Sequence, residues 1–192
     1  MKRKNPQVIA FKRRRTGRTN YRKRLKLLIS KKTRIVIRTS NKNIYVQIVN
    51  FNPKGDKIVT ATSSFALKKL GWEYSPSNIC AAYLTGLLAG KKAKEKELTE
   101  CIADLGLKRV SKGNKMFAVM KGLKDSGINI LVDEKMLPNN DRVLGKHIIT
   151  YAEKLKTNQL YEKKFSEYAK NNIAIDQIAK KVEELKIKII GK

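Results

Sequence analysis

Residues 34–49 read RIVIRTSNKNIYVQIV, and this stretch decides the fold class. β-branched and other apolar residues dominate 34–39 and again 44–49, a composition typical of β-strands. Between them SNKN, at 40–43, is a run of residues that favour turns. The sequence therefore predicts two antiparallel strands joined by a short turn.

Alternation along these two predicted strands separates an apolar face from a more polar one. In the first strand Ile35 and Ile37 share one face, whereas Arg34 and Arg38 share the other. In the second strand Tyr45 lies on the face opposite its apolar neighbours. We therefore expect the sheet to bury one face and to carry basic and aromatic side chains on the other.

The sequence after this hairpin alternates between strand and helix patterns. The further predicted elements are a third strand at 57–62, a short helix at 64–70 ended by Gly71, a long helix at about 78–96, a strand at 101–105, a helix at 115–124, a strand at 128–132 and a helix at 141–155. The predicted fold class is α/β. A mixed sheet begins with an antiparallel three-strand meander and continues with β-α-β units whose helices pack on the sheet.

The long predicted helix contains two glycines, Gly86 and Gly90. Glycine is unfavourable in a helix interior because its unfolded state has more conformational freedom than that of other residues. We therefore expect both glycines to serve packing, by allowing a close approach of the helix to the sheet.

The charge of the chain is strongly positive and unevenly distributed. It has 44 Lys and Arg against 16 Asp and Glu, a formal net charge of +28. The first acidic residue is Asp56, and 18 basic residues precede it. Such an excess makes a compact chain repel itself unless a polyanion neutralises it. Nucleic acid is the polyanion that fits this pattern best.

The most basic stretch is FKRRRTGRTNYRKRLKLLI at 11–29, which has nine basic residues and no acidic one. It divides near Thr19. Apolar residues are few before that point, so we expect an extended arm that becomes ordered only on RNA. The predicted organisation is a basic RNA-binding arm at 1–20, an α/β domain at 21–155 and a lysine-rich helical C-terminal extension at 156–192.

A short helix is predicted after the arm, over about 19–30, with Thr19 or Asn20 as its cap. Its apolar residues recur at helical spacing and form one stripe. The stripe consists of Tyr21, Leu25, Leu28 and Ile29. We expect this stripe to dock the helix on the domain, so that the basic side chains of the helix face RNA.

Arginine and aromatic residues favour RNA among the possible polyanions. Nine of the 18 basic residues before Asp56 are Arg, whose guanidinium binds phosphate through paired hydrogen bonds and stacks on bases. Phe11, Tyr21 and Tyr45 lie among these charges. Interleaved aromatic and basic residues are typical of proteins that bind single-stranded or looped RNA.

No catalytic residue, metal site or cofactor is predicted. GLLAGKK, in the long helix, lacks the spacing of a phosphate-binding loop. Cys80 and Cys101 lie in apolar contexts, as reduced core thiols of an intracellular protein do, and His147 has no neighbouring nucleophile. A magnesium-dependent nuclease that uses Asp56 or Asp104 stays open as an alternative.

DNA compaction and membrane-surface binding form a third hypothesis. No zinc-finger, leucine-zipper or helix-turn-helix pattern is present, although composition alone does not separate RNA from DNA. A basic amphipathic helix can lie on a membrane surface, but the apolar stripe here is only one or two turns long. We expect no membrane partner, since no segment is long enough to cross a bilayer and no secretory signal is visible.

Several motifs together resemble one known family. They are YRKRL at 21–25, the strand-turn-strand at 34–47, AAYLTGLL at 81–88, CIADLGL at 101–107 and DRVLGKHIITYA at 141–152. On these motifs, the part of the chain between 10 and 155 resembles the universal family of large-subunit ribosomal proteins that bind 5S ribosomal RNA. Its members are numbered eighteen in bacteria and archaea and five in eukaryotes.

Length and two departures refine the resemblance. The segment beyond the bacterial core resembles the archaeal type of the family. Asn43 stands where many members carry His, and Asn50 stands where many carry Asp. Residues 156–192 show the least resemblance, so their role stays open.

The resemblance implies a noncatalytic structural protein of the large ribosomal subunit, located in the cytoplasm. Members of the family fold as a mixed α/β domain and bind 5S rRNA. With a neighbouring large-subunit protein, numbered five in bacteria, they help to seat that RNA in the central protuberance. Their basic N-terminal arm also contacts large-subunit rRNA.

The charge pattern and the resemblance together predict one RNA-binding surface, made by the arm, the first helix and the hairpin. Its predicted residues are Lys12, Arg13, Arg14, Arg15, Arg18, Tyr21, Arg22, Lys23, Arg24, Lys26, Arg34, Arg38, Ser40, Asn41, Lys42, Tyr45 and Gln47.

Overall fold

The chain folds around one mixed sheet. A computed structural model describes residues 9–157 and 160–191. The strands are β1 (Arg34–Thr39), β2 (Ile44–Asn50), β3 (Lys57–Ser63), β4 (Glu100–Asp104) and β5 (Asn129–Ile130). Their order is β3-β2-β1-β4-β5, antiparallel from β3 to β1 and parallel from β1 to β5. The α/β class, the antiparallel meander and the β-α-β crossover are therefore confirmed.

The helices of the described residues include those predicted at about 19–30, 78–96 and 115–124. They are α1 (Lys12–Arg15), α2 (Tyr21–Ile29), α3 (Ile79–Lys94), α4 (Lys115–Asp125), α5 (Asn140–Val143), α6 (Lys146–Thr157), α7 (Tyr161–Lys164), α8 (Ser166–Lys170) and α9 (Ile178–Ile190), with 3-10 segments at Ser64–Leu70, Glu134–Met136 and Ile175–Gln177. Asn78 and Asn114 cap α3 and α4, because their side-chain oxygens accept the N–H groups of Ala81 and Phe117 at 2.7 and 3.1 Å.

The apolar face of the sheet is buried in the core together with α3 and α4. Ile35 and Ile37 of β1 are inaccessible, as the alternation predicts, and so are Ile44 and Ile48 of β2. Burial of each such side chain contributes about 1.5–3 kcal/mol to folding. The hydrophobic effect thus fixes which face of the sheet remains for other contacts.

Close approach at Gly86 joins α3 to α4 rather than to the sheet. A Cβ added to Gly86 would overlap the backbone of Val119, and a Cβ added to Gly122 would overlap the backbone of Tyr83. Gly90 likewise approaches Ser126, at the end of α4. The α3 glycines do serve packing, as expected. The expected partner, the sheet, was wrong, because the close approach is to α4, which packs against α3.

The predicted helix at 141–155 is interrupted. Gly145 has a φ of 82°, in the left-handed region that favours glycine, and it separates α5 from α6. A Cβ at this position would meet Cys80 of α3 and Ile178 of α9 at about van der Waals contact or closer. The break lets the chain turn tightly over two core residues.

The last helix completes the core of the domain. Ile178, Val182, Leu185 and Ile189 of α9 are buried in the same cluster as the sheet residues, and α9 packs against α3. Lys91 of α3 donates its ammonium to the carbonyl of Ile189 at 3.0 Å. The division of the chain at 156 stays a prediction, and within the predicted C-terminal extension α9 packs into the core of the domain.

Candidate nucleic-acid interface

Helix α2 is held on the polar side of the sheet by charged and polar contacts. Asn20 begins the helix, since its side-chain oxygen accepts the N–H of Lys23 at 3.1 Å. The ammonium of Lys23 donates to the carbonyl of Gly106 at 3.3 Å. Arg24 Nη2 lies 3.1 Å from both carboxylate oxygens of Asp56. These contacts join the helix to the loop after β4 and to the start of β3.

The predicted docking stripe of α2 is wrong for three of its four residues. Leu25 and Ile29 are 60% and 69% exposed, and Tyr21 is also exposed. Leu27 and Leu28 are the half-buried apolar residues of the helix. The face of α2 that carries Arg24, which forms an ion pair with Asp56, is turned toward the domain. Hydrophobic periodicity within α2 could not predict this orientation, because it depends on the carboxylate of Asp56, which lies later in the chain.

The arm was expected to be extended, but its described part is not extended throughout. Helix α1 forms one helical turn within it. Arg13 Nε donates to the hydroxyl of Thr19 at 2.9 Å, which folds the arm back on itself. The rings of Phe11 and Tyr21 lie 5.4 Å apart, so the arm contacts the first turn of α2. Residues 1–8, also predicted to belong to the arm, lie outside the described part of the chain.

Arg34 of β1 forms a buried charge cluster with Asp56 and Asp104. It is only 1% exposed. Its Nη2 lies 2.6 Å from Asp56 Oδ2, and its Nη1 lies 3.5 Å from Asp104 Oδ2. Arg34 was expected in the RNA-binding surface because of its strand face, but burial removes it from that surface. Its charge instead organises the two carboxylates.

Arg38 is held by the same cluster but reaches the surface. Its Nη2 lies 3.2 Å from Asp104 Oδ1, and its Nη1 donates to the Asp104 carbonyl at 2.7 Å. Asp104 Oδ1 also accepts the N–H of Gly106 at 2.9 Å. Because nearly half of the Arg38 side chain stays exposed, guanidinium donors remain available to a ligand.

A cleft of about 120 Å³ brings the arm, α2 and the end of β1 together. Five cationic side chains line it, namely Arg13, Arg18, Lys23, Arg24 and Arg38. The carboxylate in its lining is that of Asp104, which already binds two arginines. A cleft lined by five cationic side chains and one carboxylate suits the binding of phosphate groups.

The β1–β2 turn and the adjacent strand surface supply further exposed groups. Ser40 closes the turn, because its hydroxyl donates to the carbonyl of Asn43 at 2.9 Å. Asn41 and Lys42 project from this turn and are exposed. Tyr45 is 48% exposed and lies directly opposite Arg38 in the strand register. A ring beside a guanidinium is an arrangement on which a base can stack.

The remaining predicted residues are half-buried or exposed. Gln47 is half-buried beside Tyr45 on the same face of β2. The other predicted cations of the arm and α2 are exposed, namely Lys12, Arg14, Arg15, Arg22 and Lys26. Most of the predicted set is thus exposed or half-buried, with Arg34 as the exception.

The groups considered for catalysis are engaged in other contacts. Asp56 and Asp104 neutralise arginines. Cys80 and Cys101 are buried free thiols, and burial raises the pKa of Cys80 to about 12 and that of Cys101 to about 11. A thiol with such a pKa is protonated at neutral pH and is a weak nucleophile.

Two further properties hold for residues 9–157 and 160–191. No group of three or more His, Cys, Asp and Glu side chains in these ranges is arranged to hold a metal ion. None of the helices described there combines the length and apolar composition that crossing a membrane requires.

The sequence analysis did not predict the ion pairs that Asp56 and Asp104 form. We considered Asp56 and Asp104 only as possible nuclease ligands. A usable signal was present, since both are isolated acidic residues next to strand ends in a basic chain. In such surroundings a carboxylate is more favourably placed as an ion-pair partner of Arg than as a free metal ligand.

Comparison with known proteins shows similarity to ribosomal proteins of the large subunit. The family described as ribosomal large subunit proteins 60S L5, and 50S L18 matches residues 5–99 and 90–133. Large ribosomal subunit protein uL18 of Saccharolobus solfataricus is 45% identical over 181 residues, which cover 93% of this chain and 90% of that protein. Large ribosomal subunit protein uL18 of Korarchaeum cryptofilum is 42% identical over 168 residues, which cover 88% and 86% respectively.

The mixed sheet, the basic surface and these matches define the class as a structural protein of the large ribosomal subunit. More particularly, the chain belongs to the family of ribosomal large subunit proteins 60S L5 and 50S L18, and the two relatives named above are archaeal. The resemblance seen in the sequence motifs is therefore confirmed.

Proposed function

We propose that this protein binds 5S rRNA and helps to attach it to large-subunit rRNA in the central protuberance. The neighbouring large-subunit protein, numbered five in bacteria, is the proposed protein partner. The observation that carries this proposal is the cleft that five cationic side chains line together with the Asp104 carboxylate. The protein has a structural role, and no catalytic step is proposed.

The proposed interface joins fixed and adjustable groups. Arg24 and Arg38 are oriented by carboxylates, and they keep exposed guanidinium donors. The arm residues Arg14 and Arg15 project into solvent and can follow an RNA backbone. Tyr45 adds an aromatic surface beside these charges. This combination supports binding to folded RNA with exposed bases better than binding to a uniform duplex.

Electrostatics sets the expected strength and salt dependence. If roughly eight phosphates are neutralised, log K should fall with the logarithm of the salt concentration at a slope of about −6 to −7. An affinity for 5S rRNA that changes little with salt would contradict a phosphate-based interface.

A competition experiment tests the proposed specificity. The full chain is bound to labelled 5S rRNA and challenged with unlabelled 5S rRNA, with an RNA of the same length and shuffled sequence, and with duplex DNA of equal phosphate content. We expect 5S rRNA to compete at least about tenfold better than either control. Equal competition by duplex DNA would favour DNA compaction, and magnesium-dependent shortening of the RNA would favour a nuclease.

A further inference from the structure

The loop that joins β4 to α4 is a second basic region, separate from the arm. Between 105 and 124 the chain has six basic residues and no acidic one. Lys108, Arg109 and Lys112 of the loop are exposed. They are not among the residues assigned to the RNA-binding surface above, and the proposed function does not yet use them.

Two ammonium groups converge on the end of β1. Lys108 Nζ donates to the Thr39 hydroxyl at 2.8 Å and also contacts the Thr39 carbonyl. Lys115 Nζ donates to the hydroxyl of Ser77 at 2.9 Å, and that hydroxyl donates to the carbonyl of Ser40 at 3.3 Å. All these partners are neutral oxygens. Among the described residues, neither ammonium group forms an ion pair with a carboxylate.

The position of Lys115 is unfavourable for a cation in the protein alone. Lys115 is half-buried, and burial lowers its pKa, which the nearby charge of Lys108 lowers further. It is also the first residue of α4, where the helix dipole is positive and no acidic side chain lies in the first turn. A bound anion would compensate all three effects at once.

We propose that a loop surface formed by Lys42, Lys108, Arg109, Lys112 and Lys115 binds phosphate groups of RNA. The inference rests on the proposed function, because it assigns a second contact to the same RNA partner. Lys42 projects from the β1–β2 turn. Lys108 contacts Thr39 at the end of β1, next to this turn, and Lys115 reaches Ser40 of the turn through the Ser77 hydroxyl, so the loop surface continues the interface along the end of the sheet.

The chemistry of the loop specifies phosphate contacts rather than base contacts. Residues 105–114 contain no aromatic side chain on which a base could stack. Lysine binds phosphate as a compact charge and carries little base specificity. The loop surface should therefore add affinity and orientation, whereas Arg38 and Tyr45 lie in the part of the interface that can read bases.

A pair of matched variants tests the loop surface. The triple variant Lys108→Gln, Arg109→Gln, Lys112→Gln removes three charges from the loop. The control Lys163→Gln, Lys170→Gln, Lys180→Gln removes three exposed charges from the C-terminal helices. We expect the loop variant to lower 5S rRNA affinity about 10- to 100-fold and to make the salt slope shallower by about 2, while the control changes the slope by less than about 0.5.

The outcomes separate this inference from the proposed function. If wild-type protein prefers 5S rRNA but the loop variant and the control lose affinity equally, the loop surface is wrong and the proposed function stands. If wild-type protein shows no preference for 5S rRNA, the proposed function fails. Mass-spectrometric acetylation of wild-type protein gives a readout that needs no variant. We expect RNA to protect Lys108 and Lys112 but not Lys163 and Lys170, and the absence of that difference would overturn the inference.

Discussion

Arg34 Nη2 lies 2.6 Å from Asp56 Oδ2, and this ion pair is almost inaccessible on the Arg34 side. Asp104 approaches the same guanidinium at 3.5 Å. Two carboxylates thus compensate a buried cation in the part of the chain where positive charge is most concentrated. The stability of the sheet and the arrangement of α2 both depend on this cluster, because Asp56 also binds Arg24.

We predict that Asp56→Asn lowers the free energy of unfolding by about 3 kcal/mol, because it leaves the buried Arg34 charge partly uncompensated. Urea unfolding at neutral pH measures the change. Glu100→Gln is the matched control, since Glu100 pairs with Lys32 at an exposed site and such pairs contribute only about 0–1 kcal/mol. Equal losses in the two variants would contradict the role of the buried cluster.

Gly86→Ala should destabilise the protein by about 1–3 kcal/mol or more, because its Cβ would overlap the Val119 backbone. The sign of the change is decisive. Helix propensity alone favours Ala over Gly by about 1 kcal/mol, so a stabilised variant would show that the helices can separate without loss. Thermal unfolding, followed by circular dichroism, gives the answer.

Substitution on the outer face of α2 should leave stability unchanged. Leu25→Gln and Ile29→Gln should change the free energy of unfolding by no more than about 0.5 kcal/mol, since both side chains are exposed. Leu27→Ala, on the half-buried face, should cost about 1 kcal/mol or more. If the outer-face variants unfold more easily than Leu27→Ala, the orientation of α2 is different from the one described.

Deletion of residues 1–20 should weaken 5S rRNA binding and make its salt slope shallower, because it removes Arg13 and Arg18 from the cleft. The domain should still unfold in one cooperative transition, since neither α1 nor the described arm contributes a buried apolar side chain to the core. Both properties are measurable on the same preparation. A deletion variant that fails to fold would contradict the arm as a separable segment.

Stability should fall at alkaline pH through Tyr74. Burial, and then the nearby charge of Glu73, raise the pKa of Tyr74 to about 12, compared with about 10 in the unfolded chain. The unfolded state releases this proton first, so the stabilisation is complete below pH about 10 and is lost as the pH approaches about 12. The slope is at most about 1.4 kcal/mol per pH unit for one group.

The variant Tyr74→Phe tests this assignment. It should remove that part of the alkaline slope, and it should also cost about 1 kcal/mol at neutral pH because the hydroxyl donates to the Ala174 carbonyl at 2.7 Å. Tyr45→Phe, at an exposed position, is the control and should keep the slope. Urea unfolding across a series of alkaline pH values compares the three proteins.

Local patterns in the sequence were sufficient for the strands, for several of the helices and for the core face of the sheet. Alternation assigned Ile35 and Ile37 to the core because strand geometry fixes where neighbouring side chains project. Asn20 was one of two candidate caps of the first helix, because a cap acts within three residues of the chain. These are short-range rules, and they need no knowledge of the tertiary structure.

Local patterns failed to predict contacts between segments that are distant in the sequence. Arg34 has the strand face that was predicted, but the sequence does not say what covers that face. Orientation of α2 depends on Asp56, and the close contact at Gly86 depends on Val119. Each of these results from a pairing across the fold, which periodicity within one segment does not specify.

The carboxylates of Asp56 and Asp104 have a consequence for recognition as well as for stability. A free arginine side chain loses up to about 2 kcal/mol of rotamer entropy when it becomes ordered. Arg24 and Arg38 are already ordered by their ion pairs, so this loss falls on folding rather than on association. Two negative charges inside a basic surface thereby act as a template that presets guanidinium groups for a polyanion.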